Sequence, residues 1–345
     1  SSFQSLIGRP GLFGDRAGNF TVQNADLLIC IGTRLSIPQS GHHPDMFAPK
    51  AEIYSVDIDK IEADKFDISV VCDAKYFLNR FLDLKLPRHL WPQWLCKCID
   101  WKNKYPVIPK MYDADKKGIN SYYFLDQLAQ HIADDAIIVT DVGTSFTGTM
   151  QAFQLTGRQR LFHSSGIAPM GYGLPAAIGA AFAAPGRPIV CLCGDGGAMF
   201  NLQELQTIKQ HKLPIKIFVL CNNGYLTMQS TQLNHFKRES VASPASGMTL
   251  PDFTKIALAF GINTLMIDNQ SKLDLGLDWP HDQPSLMVIK MPEHQVLAPR
   301  VQSRIENGKF VKTDIADLWP HLPRDEYEAN MKVETEEGAP CRQAL

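Results

Sequence analysis

The sequence offers almost no net charge: 34 Lys and Arg stand against 36 Asp and Glu, a formal charge of −2. That leaves no electrostatic footprint for nucleic acid and no polybasic patch for an anionic membrane. Long apolar runs are missing too. The longest lies around residues 176–184, far short of the roughly 20 residues that a membrane span needs. The opening Ser1-Ser2-Phe3-Gln4 has no basic region leading into an apolar core and no Met. No signal peptide is expected, and the chain is expected to be processed or cut from something longer. Cysteine is sparse, with eight residues, and Cys96-x-Cys98 and Cys191-x-Cys193 lack the spacing of structural zinc sites. Cys30, Cys191, Cys193 and Cys221 lie in or at the ends of apolar runs, where a thiol acts as a small hydrophobe. Reduced, buried thiols and a cytoplasmic location are expected.

What is present is an ordinary core-forming composition, 45 % hydrophobic and 20 % charged, which excludes disorder as the main state. At about 150 residues per domain, 345 residues suggest two domains. Residues 26–35 (DLLICIGTRL) form a continuous apolar run ending in Gly-Thr-Arg, the pattern of a parallel strand buried on both faces. Further strands are read at 52–59 and 69–73, then a helix at 74–82; three strands make a small, incomplete Rossmann-like α/β unit. Residues 84–119 read as a connector with four prolines and three tryptophans. Trp91, Trp94, Leu95, Cys98 and Ile99 in it fall at helical spacing. From Ser121 strands at 136–142, 160–164, 188–194, 214–221, 263–267 and 285–291 alternate with helices at 121–132, 145–154, 173–184, 201–211 and 252–260. That alternation predicts an α/β fold with a doubly wound parallel sheet, in which ligands bind beyond the carboxyl ends of the strands. The expected division is a partial middle domain at 1–84, a connector at 85–119, the second α/β domain at 120–318 and a tail at 319–345. Residues 231–250, polar and without period, are expected to form a mobile segment over the site, with the tail a weaker candidate.

The strongest chemical signal pairs residues 188–200 (PIVCLCGDGGAMF) with residues 218–225 (FVLCNNGY). Glycines after a buried strand let backbone N–H groups approach a phosphate. Asp195 at the same turn would repel a bare phosphate, so a cation between them is expected. Mg²⁺ takes one or two protein oxygens and completes its shell with phosphate and water. Asn222, 27 positions later at the end of the next strand, offers an amide oxygen, and the turn at Gly224 a carbonyl. Taken alone, Gly194-Asp195-Gly196 reads first as a plain turn and Asn222-Asn223-Gly224 as a plain cap.

Together the two segments resemble the fingerprint of thiamine-diphosphate-dependent enzymes, and further stretches resemble the acetolactate synthase-like members of that family. Residues 166–179 (GIAPMGYGLPAAIG) look like the family segment GLGxMGxGLPAAIG. Residues 140–145 (TDVGTS) resemble the diphosphate-side loop, and 201–207 (NLQELQT) the helix after the Gly-Asp-Gly turn. Residues 8–24 and 47–59 are similar to the middle domain of that group. The resemblance implies Mg²⁺ ligands at Asp195, Asn222 and the Gly224 carbonyl. It implies diphosphate contacts around Gly194, Gly196, Gly197 and Ala198, with Gly143 and Thr144 closing the other side and Tyr225 among the cofactor contacts. Met170 would lie under the bent cofactor and force its base against the reactive carbon. The Ala168 carbonyl and Met170 N–H would hold the aminopyrimidine. Met170 is otherwise a core methionine, and Glu204 is read as structural.

Departures limit the transfer. Cys221 stands where the family usually has the first of two Asn, and Thr231 where branched-chain acetolactate synthases have an acceptor-selecting Trp. Arg34, Asp57 and Asp59 are only fragments of a flavin (FAD) site. No segment resembles the pyrimidine-binding domain, whose Glu activates the cofactor. The implied protein is therefore a Mg²⁺- and thiamine-diphosphate-binding subunit or fragment of a carboligase that decarboxylates a 2-oxo acid and then forms a C–C bond. A pyrimidine-binding partner would complete it as a dimer or heterotetramer, active only in that state. A 2-oxo-acid decarboxylase subunit and a non-catalytic cofactor-binding protein stand as alternatives.

Overall fold

The computed structural model describes residues 5–86, 91–109, 118–306 and 308–332. Their contacts divide them into two units, one of residues up to 107 together with those from 298 onward, the other of residues 108–297. This division by contacts groups the described residues of 85–107 and those from 298 onward with the first unit. The connector helix, Pro92–Lys104, belongs to the first unit, as does the segment from 298. Residues 87–90 and 110–117 of the connector, and the tail beyond 332, lie outside the described residues.

In the first unit β1 (Leu27–Ile31), β2 (Glu52–Asp57) and β3 (Ile68–Val71) form a parallel sheet in that order. The helix Arg16–Asn24 starts where the Asp15 carboxylate accepts from the Gly18 N–H, and it buries Phe20 against Trp101, ring centroids 5.6 Å apart. Trp101 in turn donates its indole N–H to Asn330 Oδ1 at 2.9 Å. The helix expected in the connector is present, but of its expected positions only Cys98 is buried; Trp91 is exposed ahead of the helix, and Trp101, outside the expected pattern, carries the packing.

The second unit is built on β4 (Ile137–Thr140), β5 (Arg160–Phe162), β6 (Ile189–Gly194), β7 (Ile215–Cys221), β8 (Asn263–Ile267) and β9 (Ser285–Lys290). They are all parallel, in the order β5-β4-β6-β7-β9-β8. The expected doubly wound sheet is present, and side-chain alternation divides its core in two. Ile138, Val190, Leu192, Phe218, Leu220 and Met287 join one apolar cluster, whereas Val139, Cys191, Cys193, Ile217, Val219 and Val288 join the other. Side chains pointing alternately up and down from fully buried strands explain why these segments read as unbroken apolar runs. Helix starts follow short polar caps: Asn120 accepts from Tyr122 N–H before Ser121–His131, and Asp252 from Thr254 N–H before Phe253–Ala259. Two helices of this unit were not expected. Gln270–Leu277 is one; Leu226–Phe236 is the other, and only Leu226 and Gln229 of it are buried, so its sequence carries no apolar period. It also runs through the first residues of the segment expected to be mobile.

Among the described residues no helix is long and apolar enough to cross a membrane. Cys30, Cys98, Cys191 and Cys193 are buried free thiols and Cys72 and Cys221 are also free. Cys96 is disulfide-bonded, against the expectation of reduced thiols.

A lysine interrupts the apolar run of β7. Lys216 on β7 is 2 % exposed and donates to the Leu277 carbonyl at 3.0 Å. Burial lowers it to about 8, with Asp278 opposing the shift. The unfolded chain, with a lysine near 10.5, therefore holds a proton that the folded chain has released between those values, and folding stability gains with rising pH there. Urea unfolding of the wild type and Lys216→Met should show the wild type gaining about 1.5 kcal/mol relative to the variant between pH 8 and 9.5. Parallel pH curves would contradict it.

Candidate functional site

Chain order and sheet order diverge at one place in the second unit. From β4 the chain moves outward to β5, then returns to β6 on the other side of β4 and continues to β7. Connections leaving in opposite directions open a crevice at the carboxyl ends of β4 and β6, where ligands of such sheets bind. The sequence-predicted residues fall on the turns around it.

β4 ends at Thr140, and Asp141 follows, 1 % exposed. Its carboxylate accepts from Val142 N–H at 2.7 Å, from Gly171 N–H at 3.0 Å and from Gly173 N–H at 3.2 Å. These bonds tie the end of β4 to the 170–173 turn. Burial pushes Asp141 above the usual carboxylate range, and the three N–H groups pull against it. Gly171 holds φ +85, and a Cβ on it would stand 2.7 Å from that of Phe200; Asn201 Nδ2 donates to its carbonyl at 2.7 Å. Gly143, at φ +70, precedes the helix Thr144–Ala152, and a Cβ there would come within 3.9 Å of Thr227 Oγ1.

At the end of β6 lies Asp195, 2 % exposed. Its Oδ1 accepts from Gly196 N–H at 2.8 Å; its Oδ2 accepts from Asn222 N–H at 3.0 Å and Gly224 N–H at 3.2 Å. One carboxylate thus joins the turn after β6 to the turn after β7. Burial raises it to about 6, again against the backbone bonds. Asn222 is 5 % exposed. Burial, with Asp195 beside it, pushes the Cys221 thiol up to about 12. Gly196 and Gly197 are spatial requirements. A Cβ on Gly196 would lie 2.2 Å from Tyr225 Cε1 and 3.5 Å from Met170 Cε, and one on Gly197 would lie 3.2 Å from either Asp141 carboxylate oxygen. A Cβ on Gly194 would meet nothing within 4 Å, so open space stands above the end of β6.

The structure therefore brings Met170, Gly196 and Tyr225 together, and joins Asp195, Asn222 and Gly224 in one hydrogen-bonded knot. Gly197 and Ala198 sit buried in the short helix Asp195–Ala198, with Gly197 against Asp141. Ala168 is exposed, left-handed at φ +53, with its N–H donated to Ser164 O at 2.7 Å. Thr231 is exposed on the helix Leu226–Phe236 and donates to Thr227 O at 3.0 Å. Glu204 accepts from Thr207 Oγ1 at 2.9 Å. In the first unit Arg34 is exposed, and Asp57 and Asp59 are taken up by the turn after β2, where Asp57 accepts from Asp59 N–H and Asp59 from Ile61 N–H. Sequence reasoning passed over Asp141 inside the 140–145 loop, and Asn201, Thr227 and Gln229. An Asp at the end of a buried strand, two residues before a Gly, was the available signal for the first.

Comparison with known proteins places the chain in a family. Residues 141–290 match the thiamine pyrophosphate enzyme, C-terminal TPP binding domain, and residues 2–81 match the thiamine pyrophosphate enzyme, central domain. The chain is 32 % identical over 313 residues to the acetolactate synthase isozyme 1 large subunit of Escherichia coli (strain K12), covering 88 % of this chain and 54 % of that protein. To the isozyme 2 large subunit it is 32 % identical over 319 residues, 90 % and 56 %. To the acetolactate synthase large subunit of Lactococcus lactis subsp. lactis (strain IL1403) it is 28 % identical over 321 residues, 92 % and 55 %. The chain spans about half the length of these relatives. With both family models matched in order and the strand-end turns in place, the chain belongs to the thiamine pyrophosphate enzyme family, among relatives of the acetolactate synthase large subunits.

Proposed function

We propose that the crevice between β4 and β6 holds the diphosphate of thiamine diphosphate through Mg²⁺, as one half of an acetolactate synthase-like carboligase acting on 2-oxo acids. The observation that carries this reading is the condition of Asp195. A carboxylate this buried calls for a cation if it is to stay charged, and N–H groups from the turns after β6 and β7 already bond both of its oxygens. The more open oxygen is Oδ1, which accepts from Gly196 N–H. With the Asn222 amide oxygen and the Gly224 carbonyl it makes a small set of hard oxygen donors. Such a set suits Mg²⁺, whose other positions go to phosphate and water. The open space above Gly194 leaves room for the diphosphate, with Gly197 and Ala198 on one side and Gly143 and Thr144 on the other.

When bound, thiamine diphosphate supplies a carbon nucleophile that adds to the carbonyl of a 2-oxo acid. The chain's own part is to hold and shape. Met170, packed by Gly196 beside Tyr225, is proposed as the apolar support beneath the cofactor rings. The Ala168 carbonyl and Met170 N–H are proposed as its aminopyrimidine contacts. The proton-sharing Glu on the other side comes, in this reading, from a pyrimidine-binding domain, and each site lies between two such halves.

Asp195→Ala should leave a folded protein whose Mg²⁺-dependent affinity for thiamine diphosphate falls by about 100-fold or more, beyond the range seen for outer-shell partners. Calorimetry giving equal affinities would remove the metal assignment. Met170→Ala should lower kcat of the assembled enzyme about tenfold or more while cofactor affinity changes less, because ring geometry is relaxed and the metal is untouched. Full activity would free Met170 from this role. The 345-residue polypeptide with Mg²⁺ and thiamine diphosphate should consume no pyruvate until a pyrimidine-binding domain is added. Turnover by the polypeptide alone would show that no second half is needed.

A further inference from the structure

The segment expected to be mobile is fastened to the turn that joins Asp195. The Ala242 carbonyl accepts both the Tyr225 N–H at 2.9 Å and Gln229 Nε2 at 3.0 Å. It lies so close beneath the turn that a Cβ on Gly224 would stand 2.4 Å from it and 2.8 Å from Gln229 Nε2. Ala242 is fully buried and Gln229 is 2 % exposed. The loop around Ala242 is stiffened by its own bonds. Ser246 Oγ accepts from the N–H groups of Ala242 and Ser243, each at 2.9 Å, and donates to Glu239 at 2.9 Å. Gln232 closes the start of the loop, bonding Ser240 N–H at 2.9 Å and its carbonyl at 3.0 Å.

Gln229 also carries a buried Oε1 with no partner among the described residues. Reversing the amide would set oxygen against the Ala242 oxygen, so the donor end is fixed on Ala242. A methionine of similar length would fill the same space without an unmet acceptor, whose burial is unfavourable. Stability alone therefore gives no reason for glutamine here.

We propose that the 239–246 loop is a strap that sets the Asn222–Tyr225 turn for its metal, with Gln229 the positioning residue and the Ala242 carbonyl the anchor. This rests on the reading of that turn as a Mg²⁺ site. The turn has no side chain at Gly224 to fix its height, and its carbonyl would have to face a metal. One backbone oxygen gripping Tyr225 N–H from below fixes that height, and Gln229 holds the oxygen in place.

The test is calorimetric titration of the full-length chain with thiamine diphosphate and Mg²⁺, in the wild type, Gln229→Met, Ser246→Ala and the double variant, beside thermal unfolding without cofactor. Gln229→Met should weaken Mg²⁺-dependent binding about tenfold and Ser246→Ala, which touches none of the ligands, about threefold. The cofactor-free midpoint should move by no more than about 4 °C in either. The double variant should bind about as Gln229→Met does, because both act through one carbonyl. Unchanged affinity in both single variants overturns the strap, whatever happens to the midpoint. Loss confined to a Gln229→Met that no longer folds, with Ser246→Ala binding normally, overturns it as well. A wild type that binds cofactor without regard to Mg²⁺ overturns the metal reading itself, and the strap with it.

Discussion

Two buried carboxylates hold the strand ends of the second unit in register with the turns that follow them. Asp141 pins the end of β4 to the 170–173 turn and Asp195 pins the end of β6 to the turn after β7. They stand on either side of the crevice that the strand order opens, and each spends its oxygens on backbone N–H groups rather than on cationic side chains. Burial would expel an isolated carboxylate's charge; oriented N–H dipoles reduce that penalty without cancelling it. Both groups are raised in consequence. Removing either would release a whole loop, which is why the turns around the site behave as one assembly.

The glycines belong to the same constraint. Gly196 and Gly224 are places where a neighbouring ring or carbonyl occupies the volume of a side chain. Close approach of backbone to backbone brings loops from three strands to one crevice, and any added carbon would separate them. A glycine-rich motif in this protein is thus a packing specification as well as a phosphate cradle.

Much of this was legible beforehand for a physical reason. Strands buried on both faces write themselves as unbroken apolar runs, as at Ile189–Cys193 and Ile215–Leu220, and the turn chemistry after them is local. Asp195 and Asn222 could be picked out because each sits at a strand end, Asp195 between two glycines and Asn222 two positions before one. Asp141 could not be given its role, since its partners lie thirty residues on and only the sheet order brings them near. The helix Leu226–Phe236 was hidden by its polar composition, and a polar stretch was read as a lid when Ala242 and Ser246 in fact fasten it. The limits of the first unit were equally invisible. Nothing near Trp101 announces that its indole partner is Asn330, 229 positions later.

That last pairing has a consequence for how the chain is made. Arg16 reaches the Leu318 carbonyl across 302 positions, and Asn19 reaches that of Ile315 across 296. The first unit is therefore written in two pieces with the whole second unit between them. On the ribosome its opening segment must wait, with Phe20 and Trp101 lacking their final neighbours, while the six-stranded sheet is synthesised and folds by itself. Domains that emerge whole fold in order of emergence; here the second unit is complete while the first is still in two parts. The long closure entropy falls on the first unit, whose two parts can meet only once the segment that carries Asn330 has been made.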